Sequence, residues 1–439
     1  MGSNSTTTLT QSVESARLRK LQLVGIVCGF GAGAWLGAAE APTKLVKLGV
    51  SPLVVSLLMV VGVFLARWSL PALIRGTGQM RADIRQAPHL IVWGILAGCL
   101  WAVANTLTIF AIRDVGLSIA FPIWNVNSLL GIFWGWLLFN ELRDAGKIRW
   151  LTVLGGALLM FTGATLLALA SSAQSPAEHP LRGILAALGA GVLWGTMYVP
   201  YRKAYLTGMN PLSFIAFFTI GELGMMSALA LAYGGGFHAL FDQLALARSV
   251  LFWLLLGGFV WVIGDLFQQY AAKYIGISRG IPLSNTNQLW GLLWGILVFG
   301  ELHGRSTSLY AEVIGGSLLM AAGAGAIALS SVGAQEHSRW EEAAQREGKR
   351  YHVASDYIQA GLSGSGANNI QDRLPSRPGR TWLDYLLVIA ATAIFISLAV
   401  LARAPNLALN WPALAGLGVA LFLFLLLCGL ALWRITRFH

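Results

Sequence analysis

Two stretches of the chain carry nearly the same pattern 160 residues apart. Residues Gly116–Leu142 read GLSIAFPIWNVNSLLGIFWGWLLFNEL, and residues Gly276–Leu302 read GISRGIPLSNTNQLWGLLWGILVFGEL. Each stretch is mostly apolar, yet each contains a proline followed closely by two asparagines. Proline breaks helices and asparagine is polar, so neither residue suits a simple apolar helix. The pattern therefore indicates a special backbone arrangement that the chain uses twice.

The composition indicates a membrane protein. Apolar residues make up 56% of the 439 residues and charged residues 11%, whereas soluble domains carry about 25% charged residues. The apolar residues form blocks long enough to cross a bilayer as helices, which takes about 20 residues each. Twelve such blocks begin near Leu21, Pro52, Leu90, Leu117, Trp150, Ile184, Pro211, Leu251, Gly276, Leu309, Leu383 and Pro412. The sequence therefore predicts an all-α polytopic membrane protein with twelve transmembrane helices.

The net charge of +11 indicates orientation in the membrane, because Lys and Arg concentrate in cytoplasmic loops. With a cytoplasmic N-terminus, 23 of the 30 Lys and Arg residues, Arg67 among them, fall in cytoplasmic segments. We therefore expect a multi-pass inner (plasma) membrane protein with both termini in the cytoplasm and no nucleic-acid partner. The cysteines share no C-x-x-C spacing and the histidines form no ligand pair, so no metal or cofactor is expected.

The similarity of the two quoted stretches extends along the chain in both directions. Trp101 and Trp261, for example, are separated by the same 160 residues. Each copy holds five apolar blocks, and an odd number means that the second copy enters the membrane from the opposite side. Such inverted repeats hold a substrate near the membrane midplane in many secondary transporters. Ten helices are thus predicted to form a 5+5 inverted repeat, with two helices added at the end.

The predicted segments are a disordered cytoplasmic N-terminus at 1–20, a first five-helix repeat at 21–172, a second at 181–332, a cytoplasmic polar linker at 333–382, and two additional transmembrane helices with a short tail at 383–439. The linker contains SRWEEAAQREGKRY, which predicts a short surface helix, and GLSGSGANN, which is typical of flexible chain. The last two apolar blocks have few interior polar groups, so we expect them to pack outside the transport core.

The repeated motifs resemble those of a known superfamily. The order P-x-x-N-x-N/S, then G-x-x-W-G, then a GEL-like triplet, in a chain of five plus five spans, is similar to the drug/metabolite transporter superfamily. Within it, the motifs resemble the glucose/ribose-type sugar porters and their rhamnose-transporting relatives. The residues that carry the resemblance are Pro122, Asn125, Asn127, Gly131, Trp134, Gly135 and Glu141, with their partners from Pro282 to Glu301. The resemblance covers about residues 20–332 and implies a sugar carrier.

Two carboxylates lie in the middle of apolar blocks, Glu222 in FFTIGELGMMSALALAY and Asp265 in WVIGDLFQQYAAKY. An ionisable group at mid-membrane costs about 2.5–3.5 kcal/mol on insertion scales, so its presence points to function. The first half has Val63 and Asn105 at the matching positions. Our hypothesis is that Asp265 or Glu222 binds a proton that is coupled to substrate movement. The alternative is a carboxylate that only bonds to neighbouring helices.

Amides and aromatic residues near these carboxylates suit a sugar, whose hydroxyls need donors and acceptors and whose ring faces are apolar. The predicted substrate-lining residues are Asn105, Gln268, Gln269, Trp35, Trp194, Trp101, Trp261 and Tyr198. The alternatives are hydrogen bonds between helices for the amides and packing or membrane-interface anchoring for the tryptophans.

The motif itself predicts backbone breaks. Pro122 and Pro282 should interrupt their helices, which membrane proteins tolerate only where protein or water satisfies the freed backbone groups. Asn125, Asn127, Asn285 and Asn287 are predicted either to cap those groups or to contact substrate. Gly131, Gly135, Gly291 and Gly295 are predicted to pack helices closely, within the core or at a homodimer face.

The sequence therefore favours a secondary carrier that moves a small polar solute, a monosaccharide in first place, by alternating access, with proton coupling as a hypothesis. The lipid bilayer is its surroundings, and a homodimer is a further hypothesis. The alternative within the class is an exporter or exchanger of another small metabolite. Of the other classes, a membrane-embedded enzyme is disfavoured because H-E-x-x-H, G-x-S-x-G and Walker A patterns are absent, and a channel because no filter loop is apparent.

Overall fold

A computed structural model describes residues 3–39, 50–115, 120, 123–170, 179–300, 306–330, 332–362, 380–402 and 409–438. Helices make up the regular structure of these residues, and no strand occurs among them. In chain order the α-helices are α1 (Ser3–Ala39), α2 (Pro52–Ile74), α3 (Thr77–Gln86), α4 (His89–Val115), α5 (Asn127–Phe139), α6 (Lys147–Ala170), α7 (Pro180–Leu206), α8 (Pro211–Tyr233), α9 (Gly236–Ala247), α10 (Leu251–Ile275), α11 (Ile277–Ser284), α12 (Asn287–Leu293), α13 (Thr307–Leu329), α14 (Ala334–Tyr351), α15 (Ser355–Leu362), α16 (Trp382–Leu401) and α17 (Trp411–Ala431).

Ten helical segments in the described part of the chain are long and apolar enough to cross a membrane. They lie in α1, α2, α4, α6, α7, α8, the continuous run of α9 and α10, α13, α16, and α17 with its last turn. This confirms the prediction of an all-α polytopic membrane protein.

Residues 3–20, which were expected to be disordered, form the first part of α1. Extending a helix that packing already stabilises adds one hydrogen bond per residue without a new nucleation step.

Within the described residues, neither quoted stretch forms one unbroken helix long enough to span a membrane, and this is where the structure differs from the count of twelve. The described part of the first stretch contains α5, which has 13 residues, after a turn at Asn125–Val126. The second is divided into α11, α12 and a π-helical turn at Trp294–Val298. Pro282 lies inside α11, and the helix ends two residues later at Ser284. Pro122 and Glu301 lie outside the described residues.

The long helices pack against each other, with α1 along α10, α4 along α7 and α8, α2 against α8 and α10, and α6 along α13. Glycines permit the closest approaches. A Cβ at Gly98 would meet the backbone of Phe218, and a Cβ at Gly258 would meet the backbone of Met59. Gly258 follows Gly98 by 160 positions, and Phe218 follows Met59 by 159. The α4–α8 contact and the α10–α2 contact thus use positions that are about 160 residues apart in the chain.

The four glycines predicted to pack helices differ among themselves. At Gly131 and Gly291, an added Cβ would meet neighbouring atoms at 3.7 and 3.9 Å, which are ordinary contact distances. At Gly135 it would stand 2.8 Å from a carboxylate oxygen of Glu141. Gly295 is buried in the π-helical turn. The tightest backbone approaches therefore occur at other glycines.

The linker and the last two helices lie around the bundle. The predicted surface helix is α14, but its face toward the bundle is buried, with Glu336 and Trp340 at 0% and 2% exposure. This corrects the expectation of a helix that only lies on the surface. Most of the predicted flexible stretch lies outside the described residues.

α16 packs along α2 and α17 along α1, and both leave most of their apolar surface exposed, as a lipid-facing helix would.

Adjacent glycines on α6 provide a test of the close packing against α13. A Cβ at Gly156 would stand 2.8 Å from the carbonyl oxygen of Gly323, whereas a Cβ at Gly155 would meet nothing within 4 Å. We expect Gly156→Ala to lower the free energy of unfolding by about 1–3 kcal/mol through overpacking. Gly155→Ala should leave it unchanged or raise it by up to about 1 kcal/mol, because alanine favours helix. Denaturant unfolding in detergent measures both, and equal effects would contradict the packing.

Candidate functional site

A single arginine joins the two intramembrane carboxylates. Nη1 of Arg67 lies 2.6 Å from Oε2 of Glu222, and Nη2 lies 2.8 Å from Oδ2 of Asp265. All three residues are fully buried. The three side chains come from α2, α8 and α10, so the ion pairs connect helices that are distant in sequence. We call Arg67, Glu222 and Asp265 the triad.

The triad corrects the assignment of Arg67 to a cytoplasmic loop. Arg67 lies inside the apolar span of α2, not beyond its end. Counting loop charges treats every cation near a predicted span end as hydrated, and it cannot detect one that carboxylates from other helices neutralise. A buried charge needs such partners, because an uncompensated one is strongly destabilising. The available signal was the presence of two intramembrane carboxylates with no cation assigned to them.

Aromatic rings surround the guanidinium of Arg67. Its Cζ lies 4.3 Å from the ring centroid of Phe218 and 5.2 Å from that of Trp261. Trp261 in turn contacts Trp101 edge to face, with ring centroids 5.6 Å apart. Cation–π contacts of this kind help to hold a desolvated cation. The structure thus brings two predicted substrate-lining tryptophans next to the triad.

The neighbouring amides divide into three environments. Nε2 of Gln269 donates to Oδ1 of Asp265 at 3.0 Å, and Oε1 of the same amide accepts from the hydroxyl of Tyr205. Nε2 of Gln268 instead donates to Oγ of Ser284 at 2.6 Å, which links α10 to the end of α11. Nδ2 of Asn105 donates to Oγ of Ser56 at 3.2 Å, a contact between α4 and α2. Gln269 therefore belongs to the triad's surroundings, whereas Asn105 makes an interhelical bond.

Asparagines from the two repeated stretches meet each other at the breaks in their helices. Nδ2 of Asn285 donates to Oγ of Ser128 and, at 3.3 Å, to Oδ1 of Asn127. Nε2 of Gln288 donates to Oδ1 of Asn125 at 2.9 Å. We call these five residues the amide cluster. Asn287 lies beside it on α12, and its buried Oδ1 has no hydrogen-bond partner within the described residues.

The amide cluster borders a cavity of only about 10 Å³. That volume holds at most one water molecule, so a sugar does not fit beside the amides in this conformation. The cavity is also lined by Met160 of α6 and Met320 of α13. The space beside the amide cluster is therefore closed, and a solute of sugar size would need the helices to move before it could bind there.

Two of the predicted tryptophans carry unused donors. The indole Nε1 groups of Trp35 and Trp194 are buried and have no acceptor in the described part of the chain. Trp194 also contacts Trp124 edge to face, with centroids 6.0 Å apart, and Tyr198 contacts Tyr201 in the same way at 5.8 Å. A buried donor without a partner costs about 1–3 kcal/mol. The two indoles can therefore donate to a substrate oxygen without breaking a bond to the protein.

Ion pairs close one end of the bundle, which we call the α14 end. Nε of Arg202 lies 2.6 Å from Oε1 of Glu141, and Glu141 also accepts from the backbone N–H of Ser278 at 2.9 Å. A carboxylate is favourable at that position because Ser278 lies in the first turn of α11. The sequence indicated Glu141 as a helix-end residue near the membrane surface, whereas the structure buries it completely.

Helix α14 lies across this end and is bound by charges as well. Arg279 of α11 donates Nη1 and Nη2 to the two carboxylate oxygens of Glu336 at 2.7 and 2.9 Å. Oε1 of Glu336 also accepts from the backbone N–H of Leu142, at 2.9 Å. Burial, with Arg202 nearby, lowers the pKa of His337 to about 4, so this side chain is neutral at pH 7. These pairs could not be predicted from the sequence, because they join residues that lie far apart in the chain.

Three comparisons relate the chain to known proteins. Residues 185–356 match the family model described as "Sugar transport protein". The chain is 25% identical over 232 residues to "Putative sugar uptake protein lin0215" of Listeria innocua, covering 52% of this chain and 75% of the relative. It is 24% identical over 260 residues to "Probable glucose uptake protein GlcU" of Staphylococcus aureus, covering 56% and 83%. A solved structure described as "Crystal structure of protein" is 18% identical, with a TM-score of 0.44 and coverage of 70% and 97%. The matched model and the names of these relatives all refer to sugar transport or sugar uptake proteins, and none of them refers to an enzyme.

The triad predicts a large effect of removing its cation. Arg67→Met leaves two buried carboxylates without a counter-charge, so we expect the free energy of unfolding to fall by about 3–5 kcal/mol. The triple variant Arg67→Met/Glu222→Gln/Asp265→Asn removes all three charges and should recover most of that loss. Chemical unfolding in detergent measures both variants. Equal stability of Arg67→Met and the parent would contradict the ion pairs.

The binding of α14 predicts a difference between two glutamates on the same helix. Glu336 is buried against Arg279, whereas Glu342 is 53% exposed and pairs with exposed Arg339. We expect Glu336→Gln to speed amide hydrogen exchange of α14 by about tenfold or more, because it leaves a buried cation unpaired. Glu342→Gln should change it little, since exposed pairs contribute about 0–1 kcal/mol. Identical exchange in the two variants would show that Glu336 does not hold α14 in place.

Proposed function

We propose that this protein is a secondary active carrier that moves a small polar solute, a monosaccharide in first place, across the cytoplasmic membrane by alternating access, with proton coupling at the triad. The sugar uptake names of the relatives support the solute class. The apolar helices support the membrane location. The closed space at the amide cluster, with polar groups but no room for a sugar, supports a mechanism in which the site opens in turn to each side.

The observation that carries the proposal is the charge of the triad. With both carboxylates ionised, two negative charges share one positive charge, and the group is fully buried in the apolar helices. A net charge in such surroundings is strongly unfavourable. Binding one proton makes the triad neutral. A site with this charge balance therefore has a physical reason to bind one proton in the closed state.

Protonation also has a mechanical consequence in this proposal. Arg67 belongs to α2, and its two partners belong to α8 and α10. A proton on either carboxylate weakens one of the two ion pairs, so α2 is held to one partner helix instead of two. The movement of α2 against the second half is then easier, and the proton equilibrium is linked to the conformational one.

The glycine contacts support a 5+5 inverted repeat, with halves at 21–172 and 181–332. The Gly98–Phe218 and Gly258–Met59 approaches use corresponding positions, as expected if a two-fold axis in the membrane plane relates the halves. In this arrangement the halves can exchange their conformations, which opens one end while it closes the other. The same repeat, with its P-x-x-N motif, is the basis for placing the chain in the drug/metabolite transporter superfamily, near the glucose/ribose and rhamnose porters.

The substrate site in this proposal lies between the triad and the amide cluster. The Gln268–Ser284 hydrogen bond connects the two polar groups, because Ser284 precedes Asn285 in the chain. Trp101 and Trp261 offer aromatic faces, and the unpartnered indole N–H groups of Trp35 and Trp194 offer donors. In the closed state the amides donate hydrogen bonds to each other, and on opening they exchange these bonds for hydrogen bonds to sugar hydroxyls.

Both termini and the α14 end are cytoplasmic in this proposal.

Counterflow in proteoliposomes tests the carrier and its coupling separately. We expect saturable counterflow of a monosaccharide, and accumulation driven by an inward proton gradient. Glu222→Gln or Asp265→Asn should retain counterflow but lose gradient-driven accumulation, because the triad is then neutral without a proton. Asp242→Asn, which changes an exposed carboxylate on α9, serves as the matched control.

Each alternative has its own outcome in these assays. Retained pH dependence in both triad variants would remove the triad as the coupling site. Absence of counterflow with every monosaccharide would favour export or exchange of another metabolite, which a screen of other polar solutes identifies. Non-saturable flux would indicate a channel, and covalent change of the internalised solute would indicate an enzyme.

A further inference from the structure

A groove of about 810 Å³ opens at the rim of the bundle, where α5 ends and α6 begins. It contains no residue of the triad or of the amide cluster. Its walls include the tryptophans Trp136 and Trp150, and its mouth carries the cations Arg143, Lys147 and Arg339. The groove is therefore a separate feature, and neither the ion pairs of the interior nor the carrier proposal explains it.

Positive charge in the groove is only partly neutralised. Arg339 is shared by Asp144, at 2.8 Å from its Nε, and by Glu342, at 3.1 Å from its Nη1. Arg143 and Lys147 have no carboxylate partner among the residues that the structure describes, and both are exposed. The guanidinium of Arg143 lies 5.5 Å from the ring centroid of Trp136, which places the cation beside the groove wall.

The basic groove adjoins apolar faces of α5 and α6. The turn between Phe139 and Lys147 joins the end of α5 to the start of a spanning helix, so it lies at the level of the membrane surface. Away from this turn, the outer faces of the two helices are apolar, with Leu138 and Leu151 exposed to the surroundings at 43% and 61%. Tryptophans at the rim fit this depth, because indoles favour the headgroup region of the bilayer.

We propose that this groove is a binding site for an anionic phospholipid. The phosphate lies between Arg143 and Lys147, and the acyl chains lie along the exposed apolar faces of α5 and α6. Basic pockets between membrane helices bind acidic headgroups through this combination of charge and depth. A free phosphate ion would use the cations alone and leave the apolar walls without a function. The proposal does not depend on which solute the protein carries.

The bound lipid would also touch the α14 end. Leu142 lines the groove, and its backbone N–H donates to Glu336 of α14. A headgroup that fixes the α5–α6 turn therefore also fixes one attachment point of α14. Binding of the lipid should for this reason raise the unfolding temperature of the protein.

Native mass spectrometry of the purified full chain tests the site with dioleoyl-phosphatidylglycerol, dioleoyl-phosphatidylcholine and inorganic phosphate as probes. We expect the parent to retain phosphatidylglycerol about tenfold more strongly than phosphatidylcholine. The variant Arg143→Gln/Lys147→Gln should lose most of that preference. The matched control is Arg81→Gln/Arg85→Gln, which removes the same charge from exposed positions on α3 and should keep the preference. In phosphatidylcholine, the unfolding temperatures of the parent and of the two double variants should be the same.

Several results would overturn the proposal. Equal retention of the two lipids by the parent would remove the headgroup selectivity. Equal loss in the two double variants would assign the selectivity to diffuse charge rather than to the groove. Displacement of phosphatidylglycerol by millimolar inorganic phosphate would identify a site for a small anion instead of a lipid.

Discussion

Charge burial in an apolar helix bundle is the constraint on which the interior of this protein depends. Water cannot solvate Arg67, Glu222 or Asp265, so each must find its counter-charge in another helix. The resulting ion pairs fix α2 relative to α8 and α10, and they set where the helices must cross. Aromatic rings around the guanidinium exclude water further and strengthen the same contacts. Removing a charge therefore changes both the electrostatics of the site and the packing of three helices.

Close helix packing and polar interior groups are complementary parts of the same arrangement. Glycines at the α4–α8, α2–α10 and α6–α13 contacts let the helix backbones approach so closely that an added Cβ would meet the neighbouring backbone. The broken helices do the opposite, because they expose amide side chains and turns where a continuous helix would present only apolar surface. The interior thus has rigid contacts between its long helices and an adaptable polar region between its short ones.

The sequence could predict features that depend on local composition and period. Ten of the twelve apolar blocks correspond to long apolar helices among the described residues, and the two that do not are the stretches with the proline–asparagine motif. The two intramembrane carboxylates were identified because they stand alone in apolar blocks. Their partner Arg67 was missed, because an arginine near a block end looks the same whether water or a carboxylate from a distant helix neutralises it. The Arg279–Glu336 pair was missed for the same reason, since it depends on tertiary contact alone.

Helix α14 has a consequence for the energetics of opening. It lies across one end of the bundle, where the buried Arg279–Glu336 ion pair holds it in addition to the apolar contacts of Trp340, Ala343 and Ala344. In a carrier built this way, releasing it exchanges protein–protein ion pairs for hydrated ions, a process that takes place in the aqueous phase. Bilayer thickness and acyl-chain order should then have little influence on that step, whereas temperature should influence it strongly, because the hydration of charged groups depends on temperature.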